Sequence, residues 1–428
     1  MNHVEWLHQE LRDLEREGLL QREQVEKLRA RYPVPEGVDW GRLVFIGIGA
    51  ILLGLGVILF FAYNWENLDR FVKLAIVIGS VLATHLGAIL VRRGRPQLAE
   101  GLHLLGTMLF GAGVWLVAQI YHINDHYPNG FMIWALGALF LAWALPSAVQ
   151  GMVVCILTVL WTGSEAIGFG NQLLWAPLLI AGVFPVMKKF SSRVLGNLIP
   201  ISLLLVFWSG SFVPYGIAYS AMLLLSGSLI GLGILLEHWG QLRESGRSFW
   251  FWSQFAFLLT VFVLSFAGHD HSSAARLEQA AQLRSHPYFI TGAIGFLMMW
   301  GLVLYFLSRD GKTREVRPDL WVVLPVGVFY LLQSLGVTQL RGWESAALYN
   351  LSILAQSVLL FRFGCREVRF SAVFQGCIVF GLLVAVRYTD LFGSLLVRSL
   401  VFLLTGAGFF ITGSVYSSRK KAVSEVLK

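Results

Sequence analysis

The chain has 428 residues, 56% of them hydrophobic and 14% charged, and a formal net charge of +8. Its mean hydropathy of +0.66 leaves too little polar surface to wrap a soluble globule of this length, so most of the surface must face lipid. The cysteines, Cys155, Cys365 and Cys377, form neither a disulfide framework nor a Cys-x-x-Cys metal pair.

Residues 1–41 are the one soluble segment of any size. Val4, Leu7, Leu11 and Leu14 recur every three or four positions, Gly18 interrupts, and Val25, Leu28 and Tyr32 resume the pattern until Pro33 stops it. The spacing predicts a helical hairpin with one apolar face. About 35 residues cannot enclose a core of their own. The face made by Val4, Leu7, Leu11, Leu14, Val25 and Leu28 must therefore pack on the rest of the chain, on a second copy in a homo-oligomer, or on a partner protein.

Crossing roughly 30 Å of hydrocarbon as helix takes about 20 residues. Fourteen apolar stretches approach that length: 43–63, 74–91, 102–121, 131–146, 149–167, 173–187, 195–213, 216–236, 249–267, 288–308, 320–338, 346–361, 371–388 and 396–416. They make residues 42–417 a transmembrane domain and leave 418–428 as a short basic tail. Lys and Arg fall in alternate gaps between the stretches, among them Arg92, Arg93 and Arg95, then Lys188, Lys189 and Arg193, then Arg309, Lys312, Arg314 and Arg317. With both termini on one side, 26 of the 33 Lys and Arg residues lie on that side. Positive charge is retained in the cytoplasm during insertion, so both termini are expected there. The predicted fold class is an all-α polytopic bundle of about fourteen transmembrane helices with a small cytoplasmic amino-terminal hairpin. The basic excess forms a belt against anionic membrane lipids. Split among short loops, it makes no nucleic-acid surface.

The glycine-rich first stretch (Gly47, Gly49, Gly54, Gly56) ends in Ala62-Tyr63-Asn64-Trp65. The third ends in Gln119-Ile120-Tyr121-His122-Ile123, followed by Trp134-Ala135-Leu136-Gly137-Ala138-Leu139. With the preceding hairpin, and with Arg387-Tyr388-Thr389-Asp390-Leu391-Phe392 and Arg398-Ser399-Leu400-Val401-Phe402 near the carboxyl end, the chain resembles a bacterial family of multi-pass membrane proteins known only as a domain of unknown function. The resemblance covers most of the chain. It implies a bacterial plasma (inner) membrane and supplies no activity.

Motifs of enzymes are missing. Gly311-Lys312-Thr313 mimics the end of a phosphate-binding loop, but the glycine required five residues earlier is Phe306 and no strand precedes it. No Gly-x-Ser-x-Gly elbow occurs, so no enzymatic activity, catalytic residue or cofactor is expected. His122 and His126 with Asp125 would suit zinc on one helical face, but Asn124, Pro128, Asn129 and Gly130 favour a turn, and no metal site is assigned. Of the ionisable residues, His85 alone lies well inside a stretch, where a lone histidine is expected to pack as a neutral hydrogen-bonding group.

A polar set remains at the expected outer ends: Asn64, Trp65, Gln119, Tyr121, His122, Trp134, Arg387, Asp390 and Arg398, with Glu66 and Glu165 beside them. Two arginines among aromatic rings can hold a phosphate or carboxylate headgroup by forked hydrogen bonds. The same residue types also anchor helices at any interface. The reading that follows is a permease-like or lipid-handling protein with an outward-facing polar groove for an anionic amphiphile. Its alternative is a non-transporting scaffold or envelope sensor working through the hairpin.

Overall fold

The computed structural model describes residues 69–122, 126–145, 147–171, 173–190, 192–210, 218–238, 242–266, 286–309, 318–338, 342–391 and 395–426, with 17–31 and scattered positions between 10 and 56. Over residues 385–391 and 395–402 only the course of the backbone is described. The described residues contain no strand. The chain divides into two compact units, Met1–Ile123 and Asn124–Lys428.

The first unit holds the hairpin. Its second arm is α1 (Arg22–Arg31), where the Gln21 N–H donates to Gln24 Oε1 at 3.0 Å, half of a capping box. Lys27 to Glu23 at 2.8 Å and Arg22 to Glu26 at 3.4 Å lace the exposed face. Gly18, at φ 75°, makes the turn, and Glu10, Leu11, Leu14 and Glu15 before it are helical. Leu11 and Val25 are buried and Leu14 and Leu28 half-buried. Val4 and Leu7 lie outside the described residues. Next come α2 (Arg70–Val91), capped by the Asp69 carboxylate accepting from the Phe71 N–H, and α3 (Pro96–Ile120), which starts on a proline whose missing N–H costs nothing there. They pack along a small-residue face of α3: a Cβ at Gly106 would lie 2.7 Å from the His85 ring, and one at Gly113 would lie 2.6 Å from Val77.

The second unit contains α4 (Pro128–Ala144), α5 (Ala148–Phe169), α6 (Pro177–Ala181), α7 (Phe184–Phe190), α8 (Arg193–Gly210), α9 (Ala218–His238) and α10 (Arg243–Leu264). It continues with α11 (Pro287–Arg309), α12 (Pro318–Trp321), α13 (Val323–Ser334), α14 (Gly342–Arg366), α15 (Phe370–Leu391) and α16 (Leu395–Val426). Helix α9 packs on α8, α10, α11 and α13, while α14 pairs with α15 and both reach α10. Phe257, Phe296, Trp300, Val323 and Ile353 are at the heart of this core.

Seven helices among the described residues are long and apolar enough to cross a membrane: α2, α3, α5, most of α9, α10, α11 and most of α14. Four shorter apolar helices accompany them, α4 and parts of α8, α12–α13 and α15. The fourteen expected stretches differ from this set in stated ways. The first, 43–63, lies outside the described residues save for isolated positions. The fourth yields a helix of 17 residues. The sixth breaks into α6 and α7, because Pro185 offers no N–H to the Ala181 carbonyl, and at the break the Gly182 carbonyl accepts instead from Trp143 Nε1 at 2.8 Å. The eleventh breaks into α12 and α13, where Pro325 does the same to Trp321. Helix α16 runs on through the expected basic tail as far as Val426.

Candidate functional site

The residues expected to line an outer groove are placed unevenly. Asn64 and Trp65 lie outside the described residues. Arg387 and Asp390 ride the last turns of α15 and Arg398 the first turn of α16, all without described side chains. Gln119 ends α3: its carbonyl accepts from the N–H groups of Tyr121 and His122, and His122 turns into the left-handed region at φ 54°. Gln119, Tyr121 and His122 are exposed, and Trp134, in α4 of the second unit, is half-buried. Since α3 ends at Ile120 and α4 begins at Pro128, His122 and His126 share no helical face.

What the outer end of α5 does assemble is a carboxylate cluster around Glu165. Helix α5 starts at Ser147, whose hydroxyl accepts from the Gln150 N–H, and stops at Gly170 in the left-handed conformation. Glu165 therefore sits in the last turns, where the helix dipole disfavours a negative charge. Three donors compensate: His126 Nε2 at 2.6 Å, Asn171 Nδ2 at 2.9 Å and Trp161 Nε1 at 3.3 Å. The Glu165 side chain is 3% exposed. The His126 ring rests on Phe169, centroids 4.0 Å apart, and Trp161 stands edge-on to Trp175 at 4.6 Å.

Two further carboxylates are buried where α9, α10, α12 and α14 meet. Asp319, in the first turn of α12 and 1% exposed, accepts from Trp250 Nε1 at 2.8 Å and Gln356 Nε2 at 3.2 Å. Glu237 near the end of α9 accepts from both Nη atoms of Arg369 at 3.1 and 3.2 Å. The Arg369 guanidinium also covers the Phe363 ring at 5.3 Å, and that ring faces Trp250 at 6.2 Å. Glycine on both helices seats these groups: a Cβ at Gly233 would lie 2.7 Å from the Trp250 nitrogen, and one at Gly246 would lie 2.5 Å from the Glu237 nitrogen. Only residues without side chains allow α9 and α10 to approach so closely.

In the first unit His85 is not alone. His103 of α3 faces it, Nδ1 to Nδ1 at 3.0 Å with the rings stacked at 5.3 Å, so one ring donates a proton and the other accepts it. The sequence carried a signal for this pair, because the two histidines stand at nearly equal distances from the basic turn at Arg92–Arg95 and a helical hairpin brings such positions to one depth. Asp319 with Trp250 and Glu237 with Arg369 had no such local signal, being 69 and 132 positions apart.

No curated protein and no solved structure matches the chain. The motifs at Asn64-Trp65 and Gln119-Ile120-Tyr121-His122-Ile123 fall inside the stretch covered by a family model, and the carboxyl-terminal motif lies beyond it: residues 12–151 match the family described as Predicted membrane protein (DUF2157), a membrane protein family of unknown function.

Proposed function

We propose that this chain is a permease-like membrane protein whose second unit accommodates a polar solute between α9, α10, α12, α14 and α15. The observation that carries the reading is Asp319, a carboxylate that is 1% exposed and held by Trp250 and Gln356 amid an apolar bundle. Ionisable groups in such surroundings are costly to bury and mark solute or ion pathways more often than anchors. The glycine-mediated crossing of α9 and α10 supports it, since small residues allow helices to slide and repack. In this reading the fourteen expected stretches all traverse the bilayer of a bacterial inner membrane, the broken sixth and eleventh included, and interrupted helices are a usual place for a solute site. An anionic amphiphile at the outer ends rests on Arg387, Asp390 and Arg398. The acceptor-rich interior favours a polar or cationic solute instead.

Cysteines at Gln356 and at Gln254, one turn along α10 from Trp250, test the reading in a background lacking Cys155, Cys365 and Cys377. A permease admits small hydrophilic thiol reagents to both positions from at least one side of the membrane, whereas Phe296→Cys in the core stays unlabelled. Equal protection of all three positions would leave the bundle an anchor and move the function to the hairpin.

A further inference from the structure

Buried polar atoms without partners, most of them oxygens, surround the junction of α10, α14 and α15. Gln356 Nε2 donates to Asp319, and Gln375 Nε2 donates to the Phe251 carbonyl. Both partners are acceptors, so the orientation of each amide is fixed and its oxygen is the atom left over. Gln356 Oε1 and Gln375 Oε1 are buried with no hydrogen-bond partner, as are Ser357 Oγ, Ser253 Oγ and both amide atoms of Gln254. All five residues are at most 1% exposed. Several serine and threonine hydroxyls of the second unit donate to a carbonyl one turn back, as Ser228, Thr260 and Ser352 do; Ser253 and Ser357 do not.

The three helices are tied together here. Trp250 of α10 and Gln356 of α14 meet on Asp319, and Gln375 of α15 reaches the α10 backbone. A Cβ at Gly376 of α15 would lie 3.1 Å from the Ser357 carbonyl. Leaving so many polar atoms dry is unfavourable. The three amide oxygens accept only, and with the two hydroxyl oxygens they can take a positive charge. Amide and hydroxyl oxygens beside a carboxylate, with no thiolate or imidazole among them, suit a hard ion. The Arg369 charge is already matched by Glu237.

We infer that this junction binds a small monovalent cation, with Gln254, Gln356 and Gln375 giving amide oxygens and Ser253 and Ser357 hydroxyls, next to the Asp319 carboxylate. The inference deepens the permease reading and rests on it for the ion's coupling role, though not for its binding.

Purified full-length protein is heated in sodium, potassium, ammonium or choline chloride at constant ionic strength. A site predicts a melting midpoint several degrees higher in one of the small ions than in choline, rising with the logarithm of concentration. Gln254→Leu, which breaks no existing hydrogen bond, should abolish that increment, and Ser253→Ala, which deletes one oxygen, should lower it and serves if the leucine variant fails to fold. Identical midpoints in all four salts, with Gln254→Leu raising the midpoint in each, would mean trapped water and overturn the site. An increment kept in full by the variant that folds would also overturn it. A normal increment without thiol access at Gln254 and Gln356 would sink the permease reading alone.

Discussion

Arg369→Met should be among the most damaging single changes in the second unit. Its two nitrogens reach Glu237 at 3.1 and 3.2 Å, and the side chains of the pair are 16% and 4% exposed. At that burial, removing one partner costs about 3–5 kcal/mol, because the Glu237 carboxylate loses its forked donor. Loss of the stacking on Phe363 adds roughly 0.5–1 kcal/mol. Glu237 has no easy escape, since the Gly246 backbone lies against its own nitrogen and releasing the carboxylate would part α9 from α10. Followed by tryptophan fluorescence during heating, at roughly 2 °C per kcal/mol for a large unit, the loss is about 7–12 °C. Arg369→Lys keeps the charge without the fork and should lose less. The double variant Glu237→Gln with Arg369→Met strands nothing and should melt above Arg369→Met alone. A single variant within about 2 °C of the wild type, or a double variant no better than the single, would refute this account of the pair.

Glu165→Ala removes the acceptor shared by His126, Asn171 and Trp161 and should cost about 1–3 kcal/mol, chiefly by stranding the buried Trp161 N–H; Glu165→Gln should cost less, and equal melting of both would count against the cluster. Leu11→Asp puts an unpaired charge at a buried hairpin position and should open the hairpin to protease at about the wild-type membrane yield; if a second copy or partner binds that face, crosslinking is lost as well. If Arg387 and Arg398 hold an anionic headgroup, Gln or Lys at either should reduce co-purifying anionic lipid, seen by mass spectrometry, by roughly 30-fold in affinity. Simple interface anchors would tolerate Lys fully.

The elements were largely legible because their ends are written locally. Pro96 and Pro128 open α3 and α4, Ser147 opens α5, and Gly170 closes it. The breaks at Pro185 and Pro325 were legible too, but a reading by length and hydropathy passes over prolines. The outer groove was inferred from residue types that serve equally at any lipid boundary; of these, Gln119 and Tyr121 are exposed at the end of α3. Of the buried carboxylates, Glu165 was read beside the outer-end polar set, while Asp319 and Glu237 drew no functional reading from the sequence. What distinguishes Asp319 from a solvated acid is Trp250 and Gln356, and such partners are fixed by helix packing and not by neighbouring sequence.

Side-chain pairs also test the threading independently of charge, because two residues in contact must lie at one depth. Glu165 meets His126, so the fourth and fifth stretches between them cross together or not at all, despite the shortness of α4. Arg193 meets Glu244 at 2.8 Å, which ties the seventh and eighth in the same way. Trp250 with Asp319 ties the ninth to the tenth, and Asp319 with Gln356 ties the eleventh to the twelfth, although the eleventh is broken at Pro325. His85 with His103 ties the second to the third. Each pair respects the parity expected from the alternation of Lys and Arg. The pairs named leave the first, sixth, thirteenth and fourteenth stretches untied, and the expectation that both termini are cytoplasmic rests on the charge rule alone. Single cysteines at Asn124 and Gln282 should react with an impermeant thiol reagent on intact cells, while one at Gly311 should react only after permeabilisation. Labelling at Gly311 from outside with protection at Asn124 and Gln282 would invert the protein and place the Asp319 junction at the outer face; labelling at all three would mean that the tenth stretch does not cross and would overturn the fourteen-span threading.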